Sequence, residues 1–266
     1  MTKRALCVGI NDYPLADMDL KGCVNDAKDW AGLLVGHYDF ARSDVKMLLN
    51  KSATKAAIVR ELARMLAGAT SGDVLVFTNS SHGTYVADKG GDEAVYDEAM
   101  CPYDAKDNLL VDDELRELFA GLKKGVRLTV ISDSCFSGTV TRTMDPVKTP
   151  DDRRRRFLNP RRIGLTEIPD LGRARPRSGG LYPESGMKEL LVSGCNDKQY
   201  SFDARIDGRY NGAMTASAMR VIAGASYRLS YNALRTKLVA ALEESAYDQE
   251  PQLEGRSTLR RRQLFT

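Results

Sequence analysis

Two reactive side chains stand at equivalent places in this sequence. DVLVFTNSSHG carries His82 just past one apolar run of strand length, and RLTVISDSCFSG carries Cys135 just past another. A thiol at neutral pH is only partly ionised. An imidazole beside it raises the thiolate fraction and later protonates a leaving amine, so the pair suits nucleophilic attack on a carbonyl. The chain has only one other histidine, His37, in GHYDF after the first helix, at the opposite edge of the expected sheet. Alone, the two groups would read as a buried thiol and a loop histidine. Both at strand carboxyl ends, each with a glycine close behind, they read as catalysis. Gly83 is expected to turn the backbone tightly after His82, and its N–H, with that of Cys135, to form an oxyanion hole.

The elements that must position them follow from periodicity. Strand-like runs at 5–10, 45–49, 73–78, 127–132 and 189–194 are short, continuous and β-branched, as expected when both faces of a sheet are covered. Helical patterns lie between and after them, over about 22–35, 54–67, 112–122, 212–223 and 230–245. In the second of these, Ile58, Leu62, Met65 and Leu66 make one apolar stripe. Alternating strands and helices predict an α/β fold: one domain over 1–266 with a mainly parallel central sheet and helices on both faces. Ligands of such sheets bind outside the carboxyl ends of the strands, where His82 and Cys135 fall. Residues 83–111 read as a hairpin and loops. Residues 141–187, with prolines from Pro146 to Pro176 and the run Arg153–Arg156, read as a flexible Arg-rich linker.

Composition narrows the class. Across 266 residues, 42% hydrophobic and 28% charged describe an ordinary globular protein, and a net charge of +3 does not point to nucleic acid. The opening MTKRALCVGI lacks the length and cleavage site of a signal peptide, and no stretch approaches a membrane span of roughly 20 apolar residues, so a cytoplasmic location is expected. Cys7, Cys23, Cys101, Cys135 and Cys195 are odd in number and include no CxxC pair, which argues for reduced thiols rather than disulfides or zinc.

The ordered set VGINDY, LKGCVNDA, NSSHG, YDEAMCPYD, VDDEL, ISDSCFSG, LLVSGCNDKQYS and NGAMT resembles the metacaspase and orthocaspase branch of the caspase-like cysteine peptidases (family C14), in a minimal prokaryotic form. The 53 residues from His82 to Cys135 fit the spacing of caspase-type dyads. The resemblance implies a caspase-like fold in which the linker joins a p20-like part (1–140) to a p10-like part (188–266). It also implies a cysteine endopeptidase that cuts proteins or peptides after Arg or Lys; apart from the resemblance, a monomer is favoured, and composition gives no reason to expect a nucleic-acid or membrane partner. The acidic pocket for the basic residue would be built by Asp26 and Asp133, with Ser80 beside them. By strand alternation Asp133 shares a face with Cys135, so its carboxylate is expected to face the cleft. Asp26 also reads as a first-turn helix residue favoured by the macrodipole.

The chemistry itself needs no cofactor, but the resemblance implies calcium as an activator. Asp97, Asp112 and Asp113 match three of the family's ligands, while Arg142 stands where a further aspartate is expected. Asp112 and Asp113 read equally as a helix cap and first turn. NSSHG replaces the usual SGHG, and Phe136 puts an apolar wall where family members often carry a histidine. Cys23, at a helix start, has a position that lowers thiol pKa values but no histidine assigned to it, so it reads as structural.

The arginine run has a plain reading as a solvated basic linker, and a reading as a nucleic-acid or acidic-partner patch that lacks interleaved aromatic residues. For an enzyme that cuts after arginine it is also a substrate. Self-cleavage is expected within 153–177, at Arg153, Arg154, Arg155, Arg156, Arg161, Arg162, Arg173, Arg175 or Arg177. Two competing functions are a catalytically silent caspase-like scaffold or signalling protein, and a flavodoxin-like domain. The latter would want a glycine-rich phosphate loop where the acidic GINDYPLADMD stands. Both predict no hydrolysis of arginine peptides.

Overall fold

The structure, a computed structural model, describes residues 1–87, 96–135, 153–167, 186–196 and 199–266. Its centre is a six-stranded sheet. Strands β1 (Lys3–Gly9), β2 (Val45–Leu49), β3 (Val74–Ser80), β7 (Arg127–Asp133) and β9 (Leu190–Ser193) run parallel in the order β9-β7-β3-β1-β2. An edge strand absent from the sequence reading, β12 (Gln252–Glu254), lies antiparallel against β9.

Period-two alternation divides the apolar side chains between two cores. Leu6, Val8, Leu75, Phe77, Leu128 and Val130 face one side, where α2 (Lys55–Ala67) contributes Ile58, Leu62 and Met65 and α3 (Asp112–Ala120) contributes Phe119. Ala5, Cys7, Val74, Val76 and Ile131 face the other. There α1 (Cys23–His37) adds Trp30 and Leu34, α4 (Ala213–Gly224) adds Met214 and Ile222, and α5 (Tyr231–Glu244) adds Leu234 and Leu238. The short α6 (Ser257–Arg260) precedes the buried Leu264 and Phe265, which close this second core. Among the described residues no helix is long and apolar enough to cross a membrane.

Two small antiparallel sheets sit at the carboxyl ends of the central strands. One contains β4 (Gly83–Ala87), β5 (Tyr96–Met100) and β6 (Leu110–Val111), in the region read as a hairpin and loops. The other is the hairpin of β10 (Phe202–Ile206) and β11 (Arg209–Gly212), joined by β8 (Arg154–Arg155).

That third strand corrects the expectation of one structureless linker over 141–187. Residues 153–167 are a built part of the molecule: β8 pairs with β10, a 3-10 turn spans Pro160–Ile163, and Leu158 and Ile163 are buried in the first core. The reading of Arg153–Arg156 as a solvated linker fails for the same reason, since Arg156 is wholly buried.

Candidate active site

β3 and β7 are neighbours, and their parallel register ends with Ser80 opposite Asp133. His82 and Cys135 each follow two residues later, so the chain delivers both to one rim of the sheet. The segments between are tied laterally: Asn79 Nδ2 donates to the Ser134 hydroxyl (2.9 Å), and the Ser81 and Ser134 hydroxyls lie 3.4 Å apart.

His82 is held on three sides. Its Nε2 is 2.7 Å from the carbonyl of Met18, its backbone N–H donates to the Tyr13 hydroxyl (3.1 Å), and the Tyr13 ring packs against the imidazole at 5.2 Å. A carbonyl only accepts, so Nε2 carries the proton and Nδ1 is the basic nitrogen. Nδ1 is buried and has no hydrogen-bond partner among the described residues. Burial pulls the pKa down to about 4, outweighing the Met18 and Arg156 backbone groups that favour the proton, while the Arg154 and Arg156 charges lower it further. The imidazole is therefore neutral at neutral pH. The Cys135 thiol is turned towards Ser201: Sγ donates to its carbonyl (3.3 Å) and accepts from its N–H (2.5 Å).

What fills the rim is the chain's own Arg156. Its carbonyl oxygen accepts from the N–H of Gly83 (2.9 Å) and from the N–H of Cys135 (3.3 Å), the two groups expected to make an oxyanion hole. Its own N–H donates to Ser201 (2.9 Å), and beyond it the Leu158 N–H donates to the Gly83 carbonyl (2.9 Å). Gly83 therefore acts as the first residue of β4, paired with Met100, and not as the expected tight turn.

The Arg156 side chain enters a closed acidic pocket. Nη2 is 2.6 Å from Asp26 Oδ2 and 3.0 Å from Asp203 Oδ1; Nη1 is 3.3 Å from Asp133 Oδ2 and donates to the Asp133 carbonyl at 3.0 Å. All four side chains are essentially inaccessible to water, with relative exposures of 0–2%. Buried charges are costly unless they are paired and hydrogen-bonded. The carboxylates meet that demand. Asp133 accepts from the Ser201 and Thr215 hydroxyls and the Thr215 N–H, Asp26 from Asn211 and the Gly212 N–H, and Asp203 from the N–H groups of Lys21 and Gly22. Three carboxylates around one guanidinium still leave excess negative charge. Burial pushes Asp26 up to about 6, Asp133 adds to the rise, and Arg156 opposes it.

Of the residues assigned from sequence, Asp26 and Asp133 meet in this pocket. Ser80 is buried beside Asp133 in register but gives Arg156 no hydrogen bond. Asp203 was missed, and its only sequence signal was alternation in SFD, which puts Ser201 and Asp203 on one face of a strand. Cys23 is not activated by its helix start: burial raises its thiol well above the ordinary value, against the lowering effect of Arg156.

The calcium candidates are arranged less favourably. Arg116 pairs with both Asp112 and Asp113, and Asp97 is buried on β5. Among the described residues no three acidic, histidine or cysteine side chains come together as a metal site. Arg142, Phe136, Arg173, Arg175 and Arg177 lie outside the described residues. Arg161 and Arg162 are exposed on the 3-10 turn, away from the pocket.

Comparison with known proteins bears on the family and the fold. A family model described as "Metacaspase, peptidase C14 domain" matches residues 3–144. Metacaspase-1 of Scheffersomyces stipitis is 33% identical over an alignment covering 94% of this chain and 70% of its own length. The chain spans 66% and 34% of the lengths of Metacaspase-1 and Metacaspase-4 of Arabidopsis thaliana. Among solved structures, protein GSU0716 of Geobacter sulfurreducens superposes with a TM-score of 0.72 at 28% identity, covering 100% of this chain and 99% of that one. Caspase-1 of Spodoptera frugiperda gives 0.57 at 10% identity, covering 95% and 88%, a likeness of fold alone.

Proposed function

The chain belongs to the metacaspase family of C14 cysteine peptidases, and from that membership we propose that it is an endopeptidase that cuts after arginine, with its own Arg156–Phe157 bond as the first substrate. The observation that carries this reading is the pose of Arg156. Its carbonyl is gripped by the N–H groups of Gly83 and Cys135 while its guanidinium fills a three-carboxylate socket.

In the proposed reaction the thiol leaves Ser201 for the carbonyl carbon of Arg156 and gives its proton to Nδ1 of His82. The carbonyl oxygen takes up negative charge between two N–H groups already aimed at it, the arrangement that lowers the barrier most in acyl transfer. His82 then passes the proton to the Phe157 nitrogen, the C–N bond breaks, and Arg156 remains on sulfur as a thioester. Water, deprotonated by the same imidazole, releases the Arg156 carboxylate and restores the thiol. Arginine suits the socket better than lysine, because two guanidinium nitrogens reach three carboxylates where one ammonium would be a point charge.

Incubating the wild-type chain beside Cys135→Ala tests this. The wild type is expected to yield a fragment beginning Phe157-Leu158-Asn159 and to hydrolyse arginine peptides, and the alanine variant to do neither. A wild type that stays whole and leaves those peptides intact overturns the reading in favour of a silent scaffold. Equal fragmentation in the variant overturns the role of Cys135.

A further inference from the structure

Arg156 is the innermost member of a longer bound strand, and its neighbours also make specific contacts. Arg155 and Arg154 pair antiparallel with Phe202 and Asp203 of β10, which fixes where each side chain points. Arg155 lays its guanidinium over the Tyr200 ring, 4.2 Å from the centroid, and its Nε is buried with no hydrogen-bond partner among the described residues. Arg153 lies 4.2 Å over the Tyr247 ring and donates to the Ala246 carbonyl (2.9 Å). Tyr247 is itself packed against Phe202 of the pairing strand. Arg154 is exposed, and its guanidinium donates to the backbone carbonyl of Asp17. On the far side of the bond, Phe157 stacks on Tyr85 at 6.0 Å and also meets Tyr200 at 6.0 Å.

We propose that Tyr200 and Tyr247 are specificity-determining residues that extend recognition to basic-any-basic-Arg sequences followed by an aromatic residue. The inference rests on reading Arg156 as the residue held for cleavage. The rings are well suited to select cations. A guanidinium over an aromatic face is attracted by the ring quadrupole and keeps its plane against the ring, whereas an aliphatic side chain there gains only contact. The third position back, being exposed, discriminates little. Tyr200 serves two neighbours at once, the guanidinium behind the scissile bond and the aromatic ring in front of it.

The test uses the full chain and internally quenched peptides copying residues 153–160, Arg-Arg-Arg-Arg-Phe-Leu-Asn-Pro. Alanine is placed at the first position, the second, the third, or the fifth. Alanine at the first or third position is expected to lower kcat/KM by roughly 2- to 30-fold, the range of cation–π contacts, and alanine at the second to change it little. The Arg-to-Ala ratio at the third position is expected to collapse towards one in Tyr200→Leu and to persist in Tyr200→Phe. Tyr247→Leu and Tyr247→Phe are expected to do the same for the first position. Equal kcat/KM across the peptides, or ratios unchanged in both leucine variants, overturns the proposal while leaving cleavage after arginine intact. Failure to cut any peptide overturns the underlying reading instead.

Discussion

Asp203 Oδ1 lies 3.0 Å from Arg156 Nη2, and the backbone of Asp203 pairs with that of Arg154, two residues earlier in the same bound strand. One residue of β10 therefore contributes both to aligning the arginine strand and to clamping the arginine that ends it. Asp203→Asn keeps the shape and removes the charge. Turnover of arginine peptides is expected to fall about 100-fold, the size of effect seen on losing one partner of a buried charge pair. Glu61→Gln breaks a pair with the exposed Arg60 on α2, far from the pocket, and is expected to change little, as surface pairs are worth about 0–1 kcal/mol. Steady-state kinetics of the two variants check the contrast; similar losses in both would deny Asp203 its place in the pocket.

Gly212 forms part of the socket wall. A Cβ there would overlap the Asp133 carboxylate and sit 2.5 Å from Arg156 Nη1. Gly212→Ala is expected to abolish self-cleavage and arginine-peptide hydrolysis. Circular dichroism and thermal melting would distinguish a folded, blocked pocket from a collapsed one, and an active alanine variant would place the arginine site elsewhere.

Removing Arg156 tests the pocket from the other side. Arg156→Met leaves Asp26, Asp133 and Asp203 buried around no cation, a change that typically costs about 3–5 kcal/mol, so the melting temperature is expected to drop on the order of 10 °C. Adding an arginine-ended peptide should recover part of the loss in the variant, with little effect on uncut wild type. No recovery would mean that the pocket does not accept arginine from outside.

Acid should loosen the pocket through Asp26, whose carboxyl is pushed up to about 6 by burial with Arg156 in place, Arg156 opposing and Asp133 adding to the rise. Arg156 is one of the groups holding that value down, so an empty pocket has a higher one and arginine binding releases a proton. Affinity is then fully present above the empty-pocket value and is lost as pH falls through about 6. KM for an arginine peptide should rise by up to about tenfold per unit of falling pH there. His82, at about 4, stays neutral over most of this range and does not account for the trend. A flat KM from pH 8 to 5, or an unaltered profile in Asp26→Asn, would contradict the assignment.

Calcium is expected to be dispensable, since Arg116 already pairs with both Asp112 and Asp113. Self-cleavage in excess chelator should match that in added calcium. A rate that vanishes with chelator and returns with calcium would show that these carboxylates rearrange around the ion.

The sequence made some of this arrangement legible and concealed the rest. The neighbouring β3 and β7 follow from two apolar runs separated by a crossover helix, and the inward carboxylate of Asp133 follows from alternation within one strand. Asp203 escaped because the motif that precedes it stops at Ser201, and nothing local tells a pocket carboxylate from one facing water. Arg156 was harder still. Four consecutive arginines look solvated, and the burial of one depends on carboxylates from α1, β7 and β10, up to 130 residues away. Gly83 misled in a third way: a glycine beside a reactive histidine suggested a turn, whereas the backbone there is a strand.

Leu158 and Ile163, downstream of the bond held at Cys135, are embedded in the apolar interior between the sheet and its helices. Scission at Arg156 would therefore sever a covalent link without setting the departing half adrift. The newborn amine of Phe157 would stay moored beside the thioester, where it rivals water for the acyl group. Resealing would then compete with hydrolysis, and the maturation of the chain would depend on how fast the freed end can swing clear.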